Sequence, residues 1–268
     1  MSLQPPKELA GYSLPLSPTG VSSMITPPPW HFSGNMLWVD CRVDPDAAQR
    51  FLPEGVSASD PGAAAAVFSD WQWCSADKSE LTDPARCQFS EFLLLLGCQY
   101  EGRAMARCPY AWVDSAVSLA RGWIQGMPKQ FGSIRMSRPI AVGRAATHHE
   151  PGGRMSGSLA VHDRRIAEAT VTLTEKVDSP PDLSLLPLVH SEVTPPWLAG
   201  AGSRQRLITS CVEGVEFSEV WSGVADMRFF EDGVRALDTD LATLIPEQVG
   251  KGYSFSYAET LTGGEVLA

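Results

Sequence analysis

Short segments in which apolar and polar residues alternate are the commonest pattern in the chain and predict β-strands. The clearest segment is 167–174, where four apolar residues alternate with glutamate and threonine. Successive strand side chains point to opposite faces, so this segment predicts a strand with one buried face. Residues 91–100 are apolar enough for a buried strand, and 104–113 can return antiparallel after a turn at Glu101-Gly102. Further strands are predicted at 133–142, 157–161, 206–220 and 225–230.

One short helix is predicted after Asp114 or Ser115, either of which can cap its N-terminus. Apolar residues then recur with the spacing i, i+3, i+4, i+7 and i+8: Ala116, Leu119, Ala120, Trp123 and Ile124. This spacing predicts an apolar stripe that lies on the core. Gly126 ends the helix and Pro128 prevents its continuation, so Lys129 follows directly after it.

The first thirty residues contain seven prolines, including three in a row at 27–29. Each proline removes a backbone donor and restricts the residue before it. Residues 1–30 are therefore predicted to be an extended arm, and residues 31–268 a single domain. Such an arm makes a homo-oligomer plausible, since it needs a surface on which to pack.

Composition narrows the classes of partner. The chain has 268 residues and 44% hydrophobic content, as is typical of a globular protein. Its formal charge of −10 disfavours a surface that binds nucleic acid or an anionic membrane, and so favours a small-molecule partner. The first thirty residues show no signal-peptide pattern, and the longest apolar block, 92–96, is far too short for a membrane span. A cytoplasmic protein is expected. Its six cysteines include no C-x-x-C pair and predict free, mostly buried thiols.

Candidate chemistry centres on Lys129, one of only five lysines, within the segment W-I-Q-G-M-P-K-Q-F-G at 123–132. An amine attacks a carbonyl only when it is unprotonated, and at an ordinary pKa about one lysine in a few thousand is neutral at pH 7. Burial among the neighbouring apolar residues would lower that pKa. The alternative is a solvated lysine in a surface turn, because G-x-P-K is a common kind of turn.

Residues 110–132 (Y-A-W-V-D-S-A-V-S-L-A-R-G-W-I-Q-G-M-P-K-Q-F-G) resemble the signature of the acetoacetate decarboxylase family, in which a short helix leads to a Pro-Lys whose amine forms a Schiff base. The likeness spans roughly 27–267, because further stretches follow one another in the same order as in the family. The stretches are Pro29-Trp30 with Phe32, Val43-Asp44, Phe51-Leu52-Pro53, Glu91 at the family's spacing before Asp114, and Glu219-Val220-Trp221-Ser222-Gly223 with Arg228 and Phe229.

The resemblance implies a mainly β fold, an antiparallel closed or cone-like barrel with a few short helices. It implies that Lys129 forms an iminium with a ketone and that Glu91 moves protons, with no cofactor and no metal. The further candidate pocket residues are Trp112, Trp123, Met127, Gln130, Tyr100, Arg121 and Asp70, and for Trp112 and Trp123 a place in the core is an equal alternative. A metal site at His148-His149-Glu150 is disfavoured, since adjacent strand residues point to opposite sides. His31 and His190 are expected to be structural.

Three departures from the family pattern concern the substrate. Gln130 stands where the family decarboxylases carry a second lysine, and residues 33–36 lack their carboxylate-binding arginine. Ser69 aligns with an expected acidic residue, although Asp70 is adjacent. The resemblance therefore indicates a divergent member that acts on something larger or less acidic than acetoacetate.

Three functions follow as hypotheses. The first is a cofactor-free Schiff-base enzyme that makes or breaks a carbon–carbon bond in a keto compound, as a decarboxylase or an aldolase-dehydratase, in bacterial secondary metabolism. The second keeps the fold without the imine, as a cyclase or dehydratase acting on an aromatic polyketide. The third is a non-catalytic ligand-binding protein.

Overall fold

The computed structural model describes residues 8–268, in which thirteen strands and four short α-helices form one body. The strands are β1 (Trp30–Arg42), β2 (Val56–Ser57), β3 (Ala63–Cys74), β4 (Gln88–Tyr100), β5 (Arg103–Val113), β6 (Lys129–Phe131), β7 (Ser133–Met136), β8 (Arg154–Val161), β9 (Arg164–Val177), β10 (Leu188–Thr194), β11 (Arg204–Phe217), β12 (Val220–Phe229) and β13 (Gln248–Val266). The α-helices are α1 (Pro45–Arg50), α2 (Pro84–Cys87), α3 (Ala116–Ile124) and α4 (Glu231–Leu237).

Seven of the strands close into a barrel. Their order is β1-β3-β4-β5-β10-β11-β13, and β13 pairs back with β1, from Trp30 opposite Leu261 to Arg42 opposite Gln248. All pairings are antiparallel except those that β10 and β6 make with β5. The predicted fold class, a mainly β antiparallel closed barrel with a few short helices, is confirmed. At 19 residues, β13 is long enough to pair with β1, β11 and β12.

A branch of four strands continues from β13 as β12, β9, β8 and β7, and packs across β1, β3, β4 and β5. Two large hydrophobic cores result, beside a smaller cluster around Met105. The outer core lies between this branch and the barrel and includes Phe68, Leu94 and Val171, whereas the inner core lies within the barrel and includes Trp73 and Phe255. Because strand side chains alternate, each shared strand supplies both cores.

Most of the predicted strands are confirmed, with two corrections. The segment 133–142 is strand only in β7, which ends at Met136; Pro139, which cannot donate to a ladder, lies just beyond. The segment 206–220 is two strands, since the chain turns at Ser218 between β11 and β12. The hairpin of β4 and β5 turns at Glu101 and Gly102, both with positive φ, as predicted.

Residues 1–7 of the predicted arm lie outside the described residues. From residue 8 to 29 the chain forms no helix and only an isolated bridge between Ala10 and Ser17. Ile25 is nevertheless buried in the inner core, and Tyr12 packs edge-on against Trp30, the first residue of β1. This segment therefore rests on the barrel. Within residues 8–268, no helix is both long and apolar enough to span a bilayer.

Candidate active site

Lys129 is positioned by the turn that ends α3. Ser115 caps the helix by accepting a hydrogen bond from the Ser118 amide, and Gly126, with φ +70°, reverses the chain. The next residues run beside β5 as β6, with Lys129 opposite Ala111. The Trp123 indole donates to the Lys129 carbonyl at 2.9 Å and fixes the turn. The lysine side chain enters the barrel and is only 5% exposed, so the alternative of a solvated surface lysine is wrong.

The Lys129 amine contacts two buried side chains. Its Nζ lies 2.7 Å from Oε1 of Glu91 and donates to Oγ of Ser118 at 3.1 Å. The other oxygen of Glu91 accepts a hydrogen bond from the Trp71 indole at 3.1 Å. Glu91 is inside because it shares the barrel-facing side of β4 with Phe89, two residues before it. The structure thus brings together the two residues predicted to be catalytic.

Burial lowers the pKa of Lys129 below its ordinary value, and the positive charge of Arg121 lowers it further. Glu91 opposes both effects, because an adjacent carboxylate favours the ammonium form. Desolvation is the larger influence. A lysine with a lowered pKa keeps a larger neutral fraction at pH 7, which is the form that attacks a carbonyl.

The buried face of α3 differs from the predicted one. Leu119 and Ala120 of the predicted stripe pack against the inner core, but Trp123 is 63% exposed and Ile124 is 42% exposed, so the stripe faces away from the core at its C-terminal end. Ser118, Arg121 and Gly122 are buried instead. This face packs on the lysine, and a Cβ added at Gly122 would lie 2.4 Å from the Lys129 Cδ. The helix therefore presents polar and small residues to the reactive side chain.

A cavity of about 630 Å³ opens beside Lys129 inside the barrel. It follows the inward faces of β4 and β13, and its lining includes Glu91, Leu93, Leu95 and Glu259. Its volume lies within the range typical of small-molecule sites, which is roughly 300–1,000 Å³. The arrangement places the buried amine, apolar walls and the carboxylates of four glutamates around one cavity: Glu91, Glu213, Glu259 and Glu265.

Comparison with known proteins agrees with this arrangement. Residues 13–268 match the sequence profile described as acetoacetate decarboxylase. The chain belongs to the acetoacetate decarboxylase family. No functionally curated protein sequence matches the chain.

Three solved structures illustrate its place in the family. The enduracididine biosynthesis enzyme MppR, complexed with the condensation product of pyruvate and imidazole 4-carboxaldehyde, is 59% identical with a TM-score of 0.93, and 97% of each chain is covered. MppR complexed with pyruvate is also 59% identical, with a TM-score of 0.92 over 97% of this chain and 98% of that one. An acetoacetate decarboxylase-like enzyme from Sphingomonas wittichii RW1, 24% identical, shares the fold with a TM-score of 0.87 over 96% and 99%.

Glu259 is a carboxylate of the site that the sequence reasoning missed. It lines the cavity, and the Tyr257 hydroxyl donates to its Oε2 at 2.9 Å. Burial raises the pKa of Glu259 to about 7, although the Tyr257 hydrogen bond opposes the rise. The available signal was the alternation of β13, in which Phe255, Tyr257, Glu259 and Leu261 share one face. Glu259 lies between Tyr257 and Leu261 on that face, much as Glu91 lies between Phe89 and Leu93 on β4.

Arg121 is a second buried cation in the barrel interior, besides Lys129. Its side chain is fully buried, and no guanidinium nitrogen has a hydrogen-bond partner among residues 8–268. Aromatic rings surround it instead, with centroids 4.5–5.8 Å from the guanidinium carbon: Trp73, Phe32, Phe89 and Trp30. Burial lowers the pKa of Arg121 to about 9, so it remains positively charged at pH 7.

Of the predicted pocket residues, Arg121 and Met127 line the cavity, whereas five others do not. Trp112 faces the outer core, where it stacks on Tyr110. It cannot also face the cavity, because its neighbours on β5, Ala111 and Val113, point into the barrel and successive strand side chains alternate. Gln130 and Trp123 are exposed on the other side of the turn from the amine.

The remaining two residues lie elsewhere on the sheet. Tyr100 bonds the Leu267 carbonyl at 2.9 Å, beyond the cavity. Asp70 faces a separate surface cavity near Arg138, and it is Ser69 that faces the active-site cavity.

The histidine predictions have mixed outcomes. His149 bonds Ser254, and no cluster of three or more metal-binding side chains occurs within residues 8–268. His31 forms a hydrogen bond with the Thr260 hydroxyl at 2.9 Å. His190 was also expected to be structural, but it lies on the cavity wall, where burial lowers its pKa to about 3 and keeps it neutral.

Proposed function

We propose that this protein is a cofactor-free Schiff-base enzyme that joins a 2-keto acid of the pyruvate type to an aldehyde, with loss of water. The observation that carries the proposal is the buried Lys129 amine, 2.7 Å from Glu91, beside a cavity of about 630 Å³. The similarity to MppR, whose complexes contain pyruvate and a pyruvate–aldehyde condensation product, supports the same substrate class. By the same similarity, we place the protein in bacterial natural-product biosynthesis.

The first half of the reaction activates the keto acid. The neutral Lys129 amine adds to the ketone carbon, and the resulting carbinolamine loses water to give an iminium. Glu91 is placed to accept the proton that the amine loses and to return it to the departing hydroxyl. The iminium then draws electrons from the adjacent methyl carbon, which loses a proton to form an enamine.

The chemistry of the iminium favours condensation over decarboxylation for such a substrate. In a 3-keto acid the carboxylate lies one carbon away from the iminium carbon, so its loss leaves electrons that form an enamine. In a 2-keto acid the carboxylate is attached to the iminium carbon itself, and the iminium cannot receive those electrons. A pyruvate iminium therefore retains its carboxylate and reacts at the methyl carbon.

The positive charge of Arg121 would attract the retained carboxylate towards the inner end of the cavity. Arg121 would thus supply the positive charge for the substrate carboxylate that is missing from residues 33–36. A bound carboxylate would be held mainly by long-range attraction, because the guanidinium is enclosed by aromatic rings.

Glu259 is suited to the second half of the reaction. After the enamine attacks the aldehyde, the aldehyde oxygen takes up a proton and becomes a hydroxyl group. The former methyl carbon then loses a second proton while the hydroxyl group, protonated by an acid, leaves as water, and hydrolysis of the iminium releases the product and the free amine. A carboxylic acid with a pKa near 7 is protonated often enough at neutral pH to supply the proton to the leaving hydroxyl group. Glu259 faces the same cavity as Lys129, so we assign it as the acid of the dehydration step.

Borohydride trapping tests the proposal. The protein is incubated with pyruvate and borohydride, and the adduct is mapped by mass spectrometry. We expect one reduced pyruvyl adduct on Lys129, none in Lys129→Ala, and full labelling in the control Lys176→Ala, since Lys176 is an exposed lysine paired with Glu219. Adding an aldehyde without borohydride should give a dehydrated condensation product. Product formation without any adduct on Lys129 would favour the non-imine cyclase or dehydratase hypothesis. The absence of both an adduct and a product would favour the ligand-binding hypothesis.

A further inference from the structure

We propose that His190 binds the oxygen of the aldehyde, as a hydrogen-bond donor on the cavity wall that stabilises the negative charge developing on that oxygen when the enamine attacks. His190 would act on the second substrate, whereas Lys129 and Glu91 act on the keto acid. The inference rests on the proposed function, because it assigns a further residue to the condensation step of the same reaction.

Strand pairing places His190 beside the reactive lysine. β4 occupies one edge of β5, and both β10 and β6 pair in parallel with the other edge. Val189 lies opposite Arg107, and Lys129 lies opposite Ala111 further along that edge. His190 follows Val189, so its backbone lies about three strand positions, or roughly 10 Å, from that of Lys129.

The side chain of His190 faces the same space as the lysine. Its neighbour Val189 belongs to the smaller hydrophobic cluster, so strand alternation turns His190 to the inside of the barrel, where it lines the cavity. The turn that precedes Lys129 packs on the same strand, since a Cβ added at Gly126 would lie 2.8 Å from the backbone of Ser191. His190 and Lys129 therefore face one cavity from adjoining parts of its wall.

The imidazole of His190 lacks a protein partner for at least one of its nitrogens. The residue is 1% exposed, and its Nδ1 has no hydrogen-bond partner among residues 8–268. Buried polar groups are normally hydrogen-bonded, because an unpaired one destabilises the fold. A half-turn of the ring about its Cβ–Cγ bond exchanges nitrogen with carbon positions in the same volume, so a nitrogen can face the cavity. A ligand oxygen there would supply the missing partner.

The surroundings of His190 suit it to donate a hydrogen bond without transferring a proton. Burial and the positive charges of Arg107 and Lys129 lower its pKa to about 3, so at pH 7 the ring is neutral and carries one N–H. When the enamine carbon bonds to the aldehyde carbon, an electron pair of the C=O bond moves onto oxygen. The His190 N–H would stabilise this charge, and the Glu259 carboxyl in the same cavity would then give the oxygen its proton.

The test measures the two halves of the reaction separately. Wild type, His190→Leu, His190→Asn and His190→Gln are saturated with pyruvate, and borohydride trapping gives the extent of iminium formation on Lys129. The condensation rate is then measured with the aldehyde that the wild type condenses fastest, chosen from acetaldehyde, benzaldehyde and imidazole 4-carboxaldehyde.

We expect iminium formation to be the same in all four proteins and the condensation rate of His190→Leu to fall about 100-fold. Asparagine and glutamine place an amide N–H near the position of one or the other ring nitrogen. At least one of these two variants should therefore condense about tenfold faster than His190→Leu. The control is His149→Leu, which should match the wild type, because His149 bonds Ser254 outside the cavity.

A wild-type condensation rate in His190→Leu would overturn the inference. So would equal losses of iminium formation and condensation, which indicate a structural role, or a failure of both amide variants to exceed His190→Leu. If circular dichroism shows that His190→Leu is unfolded, His190→Phe replaces it, since phenylalanine keeps a planar ring without a donor. The proposed function fails separately: if the wild type forms no iminium with pyruvate, the imine mechanism is wrong and the inference falls with it.

Discussion

The two cores are built on opposite faces of the same strands, yet only one of them carries charge. On β4, Phe92 and Leu94 point into the outer core, while Glu91 and Leu93 point into the barrel. The outer core is closely filled with aliphatic and aromatic side chains. The barrel interior contains Glu91, Arg121 and Lys129 together with an open cavity. One face of the sheet therefore forms the packed core that stabilises the fold, and the other face forms the charged site.

The contrast explains how a buried ion pair is tolerated. Burying charges costs several kcal/mol per ion, even when they are paired. A continuous apolar core on the far side of the same strands offsets that cost, since each fully buried large side chain contributes roughly 1.5–3 kcal/mol. The outer core therefore holds the strands in place, and the inner face can depart from ideal packing around the lysine.

Truncating neighbouring leucines on β4 gives the largest expected effect. Leu94 is fully buried in the outer core, whereas Leu93 is only partly buried and lines the cavity. Leu94→Ala should lower the free energy of unfolding by about 2–5 kcal/mol, since it leaves a void in a packed core. It should leave the Michaelis constant unchanged.

Leu93→Ala is the matched variant, one residue away on the other face. Its side chain already borders empty space, so the loss in unfolding free energy should be smaller, about 1 kcal/mol. The Michaelis constant for substrate should rise instead. Denaturant unfolding and steady-state kinetics measure both quantities. Equal losses of stability for the two variants would contradict the division into two cores.

A methyl group at Gly122 should reduce catalysis without a comparable loss of stability. In Gly122→Ala the new Cβ would meet the Lys129 side chain at 2.4–2.9 Å, so the lysine must move. We expect the rate of adduct formation with pyruvate to fall by at least about tenfold, which corresponds to about 1.4 kcal/mol in the barrier. Alanine is favoured over glycine within a helix by about 0.5–1 kcal/mol, which offsets the cost to folding.

Gly202→Ala is the control for this variant, because no atom lies within 4 Å of the added Cβ. Its rate should equal that of the wild type. A wild-type rate in Gly122→Ala as well would show that the lysine does not depend on the packing of α3.

The smallest effect is expected for Tyr257→Phe. The Tyr257 hydroxyl donates to Glu259 and so favours its ionised form. Removing it should raise the pKa of Glu259 above about 7, by up to about one unit. Because the protonated carboxyl supplies the proton for dehydration, the fall in dehydration rate at high pH should move to higher pH.

The pH profile of the dehydration step measures this shift. Tyr253→Phe is the control, since Tyr253 lies on the same strand but interacts with Asp40 outside the cavity. A shift of the profile to lower pH in Tyr257→Phe would contradict the assignment of Glu259 as an acid.

The family resemblance predicted the barrel, and the sequence singled out the lysine, but hydrophobic periodicity misplaced part of the buried face of α3. The spacing of Ala116, Leu119 and Trp123 predicted an apolar stripe on the core, and the structure leaves Trp123 exposed. Hydrophobic periodicity assumes that a helix packs on an apolar surface. This helix packs on a charged side chain, so its buried residues are Ser118, Arg121 and Gly122.

Pocket residues were predicted least well, for a geometric reason. Trp112 and Asp70 are next in sequence to residues that face the barrel, but strand alternation turns them outward. Glu259 could not be placed near Lys129 from local sequence, because 130 residues separate them and only the closure of β13 against β1 brings them together. Residues that are brought together only by such long-range strand pairing form no short motif in the sequence.

The strand β13 also determines when the protein can become active during its synthesis. It is made after every other described strand, and it both fills the gap between β1 and β11 and carries Glu259. A nascent chain that ends before it leaves the edges of β1, β11 and β12 without their partner strand, and unpaired edges are prone to aggregate. Such a chain also lacks the proposed acid. Because β1 pairs with a strand more than two hundred residues away in sequence, barrel closure should be a slow, late event in folding. Lys129 therefore emerges from the ribosome well before the enclosed site that would make it reactive.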